Sequence, residues 1–301
     1  MKKLRAALLL VPAVWLLLHP DAGADTIRTG LTLCAQRVIP SLFPFLVLSA
    51  LLIDCGAADA LGRRLARGME PLFGVGGAGA AALALGLVGG YPVGAQTVAS
   101  LRARGSVSRA EAERLLSFCC CAGPGFLLGV CGAEVFGSTR AGLYLYLVHV
   151  LAALLTGLLL RGQRLPAAAR YAPPPADASL LRALPSAMRS AVQAMANICA
   201  YVVLFPLLLR PVTMLFGGST LLRAALYGFC ELTGGVLQLP ATRGGFVLCA
   251  ALLGWGGCSV HAQTLGVLAP AGLSMRPYLR GKAMQSLLSV PLAYIASQWL
   301  F

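Results

Sequence analysis

Residues 89–101 read GGYPVGAQTVASL, and residues 256–268 read GGCSVHAQTLGVL. Both stretches carry a glycine pair a few residues before an Ala-Gln-Thr sequence, inside segments that are otherwise strongly apolar. Shifting the chain against itself by 167 residues aligns 84–124 with 251–291 without a gap and pairs twelve identical residues. Composition alone gives roughly three or four such matches, so the two stretches are equivalent positions of an internal repeat.

The composition of the chain places this repeat in a membrane protein. Hydrophobic residues make up 58% of the 301 residues, and charged residues make up 11%. The apolar runs are continuous and close to the length of a spanning helix, whereas an outer-membrane barrel needs short segments of alternating polarity. We therefore predict an all-α polytopic membrane protein, with the lipid bilayer as its partner.

The net charge of +14 does not indicate a nucleic-acid partner. The basic residues lie in short loops, where they encode orientation in the membrane, and no basic stripe carries interleaved aromatic residues. The ten cysteines lie mostly in apolar segments without a Cys-x-x-Cys pair, so we expect packing residues, no metal site and no cofactor. Hydrolase, metalloprotease and P-loop motifs are absent from the sequence, and we expect no enzyme. The lone His149 is expected to contact a neighbouring helix.

Four regions follow from the order of apolar and polar segments. Residues 1–25 have a basic start and a short apolar core, which favours a retained signal anchor helix. The small residues at 22–24 also resemble a cleavage site, so a removed signal peptide is the alternative. Residues 26–161 form the first repeat, 162–189 a cytoplasmic linker rich in Pro, Ala and Arg, and 190–301 the second repeat.

Each repeat is predicted to contain a kinked helix, an interfacial helix, a re-entrant hairpin and a broken transmembrane helix. Leu-Phe-Pro at 42–44 and 204–206 predicts the kinks. Basic clusters on both sides of the first Gly-rich segment predict that it enters and leaves the membrane on one face. Counting crossings then makes the repeats inverted, as in alternating-access transporters. A span at 221–239 would make them parallel and would better satisfy the positive-inside rule, but Arg223 and Glu231 make that segment a poor span.

The breaks in the two hairpins form the candidate solute site. Helix ends that stop inside a membrane expose backbone amides and carbonyls, and Gln and Thr add donors and acceptors without a fixed charge. The alternative is that small residues pack the helices closely while Gln and Thr join them by hydrogen bonds. Because both copies carry the same pattern, we favour the functional interpretation. The residues expected to contact a small-molecule solute are Gly90, Tyr91, Gln96, Thr97, Gly123, Pro124, Gly257, Ser259, His261, Gln263 and Thr264.

Glu231 is one of the few acidic residues close to apolar sequence, and it is a candidate for coupling solute movement to a cation or a proton. The alternative is a solvated interfacial carboxylate that pairs with Arg223, and Glu70 is its counterpart in the first repeat. Gly-Pro-Gly at 123–125 predicts an unwound site in the broken helix beside the first hairpin tip. The consecutive cysteines at 119–121 point in different directions on a helix, which favours packing over metal binding.

Five motifs together resemble the YlbJ-type sporulation integral membrane proteins over nearly the whole chain. They are VIPSLFPF at 38–45, GGYPVGAQT at 89–97, GPGF at 123–126, CELTGG at 230–235 and GGCSVHAQT at 256–264. That family is grouped with proteins bearing the nucleoside-recognition or Gate domain, which include concentrative nucleoside transporters and the membrane part of bacterial ferrous iron transporters. The resemblance implies two Gate-like repeats, a bacterial inner or spore-associated membrane, and movement of a small polar or anionic organic solute during spore formation, with dipicolinate as the associated candidate.

In the nucleoside transporters the first tip carries Gln-Thr followed by Glu, and these residues help to bind the nucleoside. Gln96 and Thr97 match this pattern, whereas Val98 replaces the carboxylate. The replacement disfavours a nucleoside and leaves a tip that repels an anion less. A nucleoside permease, a ferrous-iron permease and a non-transporting membrane protein of the developing spore are the alternatives. The sequence leaves the formation of a homo-oligomer open.

Overall fold

The computed structural model describes residues 2–55, 57–162, 179–213 and 219–301, and the regular elements in these ranges are all helices. The helices are α1 Lys2–Leu18, α2 Pro20–Leu33, α3 Ile39–Asp54, α4 Ala57–Phe73, α5 Gly79–Gly89, α6 Val93–Ala103, α7 Arg109–Leu116, α8 Thr139–Leu159, α9 Leu180–Thr213, α10 Thr220–Cys230, α11 Leu232–Leu237, α12 Arg243–Trp255, α13 Gly257–Leu268 and α14 Met275–Ser297. Two further segments, Cys34–Val38 and Gly125–Val135, are π-helical. The all-α prediction is confirmed.

Four helical runs of the described chain are long and apolar enough to cross a bilayer. They are Pro20–Leu52, Thr139–Leu159, Leu180–Pro211 and Arg243–Leu268. Each reaches the length of about 20 residues that a spanning helix requires. Large apolar side chains point outward from these runs, which is the surface that lipid covers in a multi-pass membrane protein.

The first repeat begins with one long helix, because α2, the π-helical turn and α3 follow one another without a gap. The sequence predicts a span over only 38–53, so the observed helix begins about five turns earlier, at Pro20. Proline is favoured at a helix start, since its missing N–H would have no partner there. The two Leu-Phe-Pro helices, α3 and α9, lie side by side and join the two halves. Of the predicted linker, residues 163–178 lie outside the described residues.

The first predicted hairpin is present. Helices α5 and α6 pack against each other and are joined by the turn at 90–92. Gly86 and Gly94 face one another across the hairpin, and the carbonyl oxygen of Cys119 lies against both. A side chain at either glycine would overlap that carbonyl, so two residues without Cβ atoms let the hairpin close.

The second break does not form a closed hairpin, and the prediction of one is wrong. The backbone turns at Gly256 and Gly257, whose φ values are 93° and 80°. Before this turn α12 packs against α14, α8 and α10. After it α13 packs against α9, α6 and α10. The positions that correspond to the two close glycines of the first hairpin are Leu253 and His261. Both side chains are buried, so the helices diverge where the first pair closes.

The broken helix predicted for the first repeat is confirmed. Helix α7 ends at Leu116, residues 120–123 lie outside any helix, and the π-helical segment follows Pro124. A glycine lies on each side of this proline. Because glycine disfavours a helix and proline cannot donate a helical hydrogen bond, the chain leaves the helix here. The non-helical segment passes directly beside the turn of the first hairpin.

The matching break predicted in the second repeat is wrong, because α14 continues from Met275 to Ser297. Pro291 lies inside this helix, but Val290 and Leu292 replace the flanking glycines of the first repeat. A proline without such neighbours bends a helix and leaves its remaining hydrogen bonds in place. The segments predicted as interfacial correspond to α4, which packs on α5, and α10, which packs on α11 and α12. The inverted relation of the two repeats stays a prediction.

Candidate solute-binding cleft

A narrow, partly open cleft with about 60 Å³ of free space lies where the two halves of the chain meet. Its walls come from α3, the tip of the first hairpin, the non-helical break, α9, the start of α11 and α13. Of the residues predicted to form the site, those that line the cleft are Gly90, Tyr91, Gly123, Glu231, Ser259 and Gln263. The structure therefore brings together half of the predicted set from four separate stretches of sequence.

The base of the cleft is formed by two chain breaks in direct contact. Gly90 has a φ of 76°, in the region that favours glycine. A Cβ atom built at Gly90 would lie 2.8 Å from the backbone nitrogen of Gly123, and one built at Gly123 would lie 3.2 Å from the Cα of Gly90. Any side chain at either position would push the hairpin tip away from the break. The two glycines thus allow backbone, rather than side chains, to border the cleft.

Glu231 is 1% exposed and lies between α10 and α11. Its carboxylate accepts hydrogen bonds from the backbone N–H groups of Thr233, at 3.0 Å, and Gly234, at 2.6 Å. These donors fix the carboxylate as the N-cap of α11 and compensate part of the cost of burial. The alternative of a solvated surface carboxylate is wrong, although Glu70, its counterpart on α4, is exposed.

The two Gln-Thr pairs do not have equivalent environments. Gln263 is half-buried and lines the cleft, whereas Gln96 is exposed on α6 and does not line it. The hydroxyls of Thr97 and Thr264 donate to backbone carbonyls one turn earlier in their own helices, at 2.8 and 2.9 Å. Helices α6 and α13 pack against each other, so the two stretches meet, but only one of the four side chains reaches the cleft.

The remaining predicted residues lie behind the cleft wall. The Nδ1 atom of His261 is 3.0 Å from the hydroxyl of Tyr278, and its ring packs edge-on against Trp255. Its Nε2 atom is buried without a hydrogen-bond partner among the described residues. Gly257 packs against the start of α11, and Pro124 begins the π-helical segment. These residues shape the surroundings of the cleft and do not border its space.

Comparison with known proteins identifies the family of this chain. The sequence profile of the Gate family, described as nucleoside recognition, matches residues 35–172. The sporulation integral membrane protein YlbJ of Bacillus subtilis (strain 168) is 30% identical to this chain, in an alignment that covers 89% of the chain and 76% of the relative. The chain belongs to the YlbJ family. The Gate profile contains the first hairpin, the broken helix and α8, whereas the alignment with YlbJ spans most of the chain.

Sequence reasoning missed one buried charged residue of this YlbJ-family protein, Lys282. Arg276 and Arg280 precede Lys282 and make a loop the natural interpretation, yet Ser274 caps α14 and all three residues lie within the helix. Lys282 is 1% exposed, and its Nζ donates to the Tyr91 hydroxyl at 3.0 Å. The spacing of Lys282 and a glutamine three residues later was the available signal, since such residues share a helix face.

A polar network extends from Lys282 through the interior of the protein. Gln285 accepts from Lys282 through Oε1 at 2.7 Å and donates through Nε2 to the carbonyl of His149 at 3.3 Å. The backbone N–H of Ala122 donates to Nε2 of His149 at 2.9 Å, so this ring nitrogen carries no proton. His149 contacts a neighbouring helix, as the sequence predicts, and it also secures the non-helical break. Lys282, Gln285 and His149 thereby support the base of the cleft from behind.

Proposed function

We propose that this protein is a membrane transporter of a small polar organic solute in spore formation, with the cleft as its binding site. The observation that carries the proposal is the meeting of the hairpin tip, the non-helical break, Glu231 and Gln263 around one cleft between the two halves. Interrupted helices at a repeat interface are where transporters of this kind hold their solutes. Membership of the YlbJ family, and the Gate profile over the first half, support the same assignment.

The lining of the cleft favours a flat solute with a polar edge. Phe45, Tyr91 and Phe126 supply aromatic surface, while Ser259 and Gln263 supply neutral donors and acceptors. Aromatic side chains hold planar rings, and a few placed polar groups fix their orientation. These features suit a ring compound with polar substituents.

The charges around the cleft favour an anionic ring compound, for which dipicolinate is the first candidate. Lys282 lies behind Tyr91 without a carboxylate partner among the described residues and gives this wall a positive potential. At the first tip Val98 stands where a nucleoside transporter carries a glutamate, so this tip adds no negative charge. The negative charge of Glu231 is partly compensated by the two backbone N–H groups that it accepts from.

A nucleoside is the second candidate, and one observation favours it. The carboxylate of Glu231 borders the cleft, where it can accept hydrogen bonds from sugar hydroxyls. Gln263 lies on the same cleft and offers both a donor and an acceptor to a base edge. Ferrous iron is less favoured, because no group of three or more His, Cys, Asp or Glu side chains in the described chain is placed to hold a metal ion.

Uptake into liposomes tests the proposal. The purified full chain is reconstituted, and accumulation of labelled dipicolinate, uridine, adenosine and Fe²⁺ is compared with that of protein-free liposomes. We expect saturable uptake of dipicolinate that excess unlabelled dipicolinate suppresses. Saturable uptake of a nucleoside alone would replace the first candidate with the second. Correctly inserted protein that moves none of the four compounds would contradict the proposal and favour a structural membrane protein of the spore.

A further inference from the structure

Lys282 lies where the chain breaks of the two halves converge. Its Nζ reaches Tyr91 in the first hairpin tip and the carbonyl of Cys120 in the non-helical segment, each at 3.0 Å. A Cβ atom built at Gly256, in the second break, would lie 3.6 Å from Cε of Lys282 and 3.4 Å from the Tyr91 hydroxyl. One side chain therefore hydrogen-bonds to two of the chain breaks and lies beside the third.

The ammonium group of Lys282 is saturated with neutral oxygen atoms. Its three N–H donors match three acceptors, which are the hydroxyl of Tyr91, the carbonyl of Cys120 and Oε1 of Gln285 at 2.7 Å. No carboxylate of the described residues forms an ion pair with it. Because all three donors are occupied, Lys282 has no N–H left for a solute, and its positive charge has no acidic partner in the part of the chain that the structure describes.

Two helix ends lie against the segment of α14 that carries Lys282. Gly281 packs against the carbonyl of Ser117 at the end of α7, and Ser286 packs against Gly254 in the last turn of α12. The segment 281–286 of α14 is therefore held between two helix C-termini. Such ends carry partial negative charge and favour a cation. Neutral oxygens at helix ends are also the surroundings in which proteins hold bare monovalent cations.

We propose that the ammonium group of Lys282 is a built-in cation that fills a monovalent-cation site between the two halves. A positive charge at this point holds the hairpin tip, the non-helical break and α14 together. A sodium ion would bind to the same oxygen atoms, but the covalent ammonium occupies the place permanently. If the proposed transport function holds, solute movement needs no inorganic cation at this position.

Removal of the side chain should convert the position into a site for a free cation. In Lys282→Ala the three oxygen atoms remain around a space that a small cation can enter. In Lys282→Met a side chain of similar length fills the space without charge, so this variant is the matched control. The thermal unfolding midpoint of each full-length protein, solubilised in detergent, is measured in chloride salts of sodium, methylammonium and choline at equal ionic strength. Choline is too large for the space and has no N–H donors.

We expect Lys282→Ala to melt roughly 5 °C or more below the unchanged protein in choline and to recover part of this loss, with saturation, in sodium or methylammonium. Lys282→Met should melt early in all three salts, and the unchanged protein should melt at one temperature in all three. Equal melting of Lys282→Ala in the three salts would overturn the proposal. Saturable stabilisation of the unchanged protein by sodium over choline would also overturn it, and this measurement stands even where a variant fails to fold. If the unchanged protein takes up no solute but the expected melting pattern is observed, the transport function is contradicted and the cation assignment stands.

Discussion

The hydroxyl of Tyr91 donates a hydrogen bond of 2.9 Å to the carbonyl of Leu253, and this bond joins the first hairpin tip to the last turn of α12. The same oxygen accepts a hydrogen bond from Nζ of Lys282. The carbonyl of Leu253 lies at a helix end, where the helix itself supplies few donors. One phenol therefore satisfies two buried polar groups and connects the two halves beside the cleft.

Replacement of this hydroxyl tests its contribution to stability. In Tyr91→Phe the ring keeps its place in the cleft wall, but the carbonyl of Leu253 and one N–H of Lys282 lose their partner. We expect the free energy of unfolding to fall by about 1–3 kcal/mol, as for other buried polar groups left unsatisfied. Thermal unfolding of the solubilised protein measures the loss. Tyr294→Phe is the control, since Tyr294 is 56% exposed, and equal melting of the two variants would contradict the role of the Tyr91 hydroxyl.

The closure of the first hairpin depends on the absence of a side chain at Gly86. A methyl group there would overlap the backbone carbonyl oxygen of Cys119, which cannot move aside as a flexible side chain can. We therefore expect Gly86→Ala to lower the free energy of unfolding by about 1–3 kcal/mol or more. The yield of monodisperse protein and its melting temperature report the effect.

Gly266→Ala is the matched control for this substitution. Gly266 lies within α13 and is exposed, and a Cβ atom built there meets nothing within 4 Å. Alanine is the better helix former by about 1 kcal/mol, so this variant should melt at the same or a higher temperature. Equal melting temperatures of Gly86→Ala and Gly266→Ala would show that closure of the hairpin does not depend on close backbone packing.

The difference between the two glycine breaks shows what the sequence could and could not predict. The repeat, the helical class and the first hairpin follow from apolar runs and from glycine pairs, which are local features of the sequence. The divergence of α12 and α13 depends on Leu253 and His261 at the positions of Gly86 and Gly94. The twelve identical residues of the repeat do not include these two positions. Their identity therefore cannot predict the distance between the two helices.

The candidate site also contains residues that the sequence could predict and residues that it could not. Glu231 and the glycines of the cleft could be singled out because they are unusual residues in apolar sequence. Lys282 could not, since two arginines precede it and make the segment read as a loop, whereas its burial depends on packing between the ends of α7 and α12. Gln96 and Gln263 occupy equivalent positions in the repeat, but only the three-dimensional packing decides which of them faces the cleft.

Glu231→Gln distinguishes the two solute classes. The substitution removes a negative charge from the cleft wall, so an anionic ring compound should bind at least several-fold more tightly, whereas a nucleoside that relies on the carboxylate should bind roughly tenfold more weakly. Equilibrium binding of dipicolinate and uridine to the solubilised protein measures both. Glu113→Gln is the control, because Glu113 pairs with Arg109 and does not line the cleft. Unchanged affinity for both compounds would exclude Glu231 from the binding site.

Gln263→Ala and Gln96→Ala form a matched pair, since the two residues occupy equivalent positions of the repeat. Gln263 borders the cleft and Gln96 is exposed on α6, so we expect the first substitution to lower solute affinity by about fivefold or more and the second to leave it unchanged. Uptake into liposomes, with the amount of inserted protein equalised, measures both variants. Equal losses would mean that both tips bind solute, as the repeat in the sequence predicts. A loss confined to Gln96→Ala would place the solute outside the cleft and contradict the site.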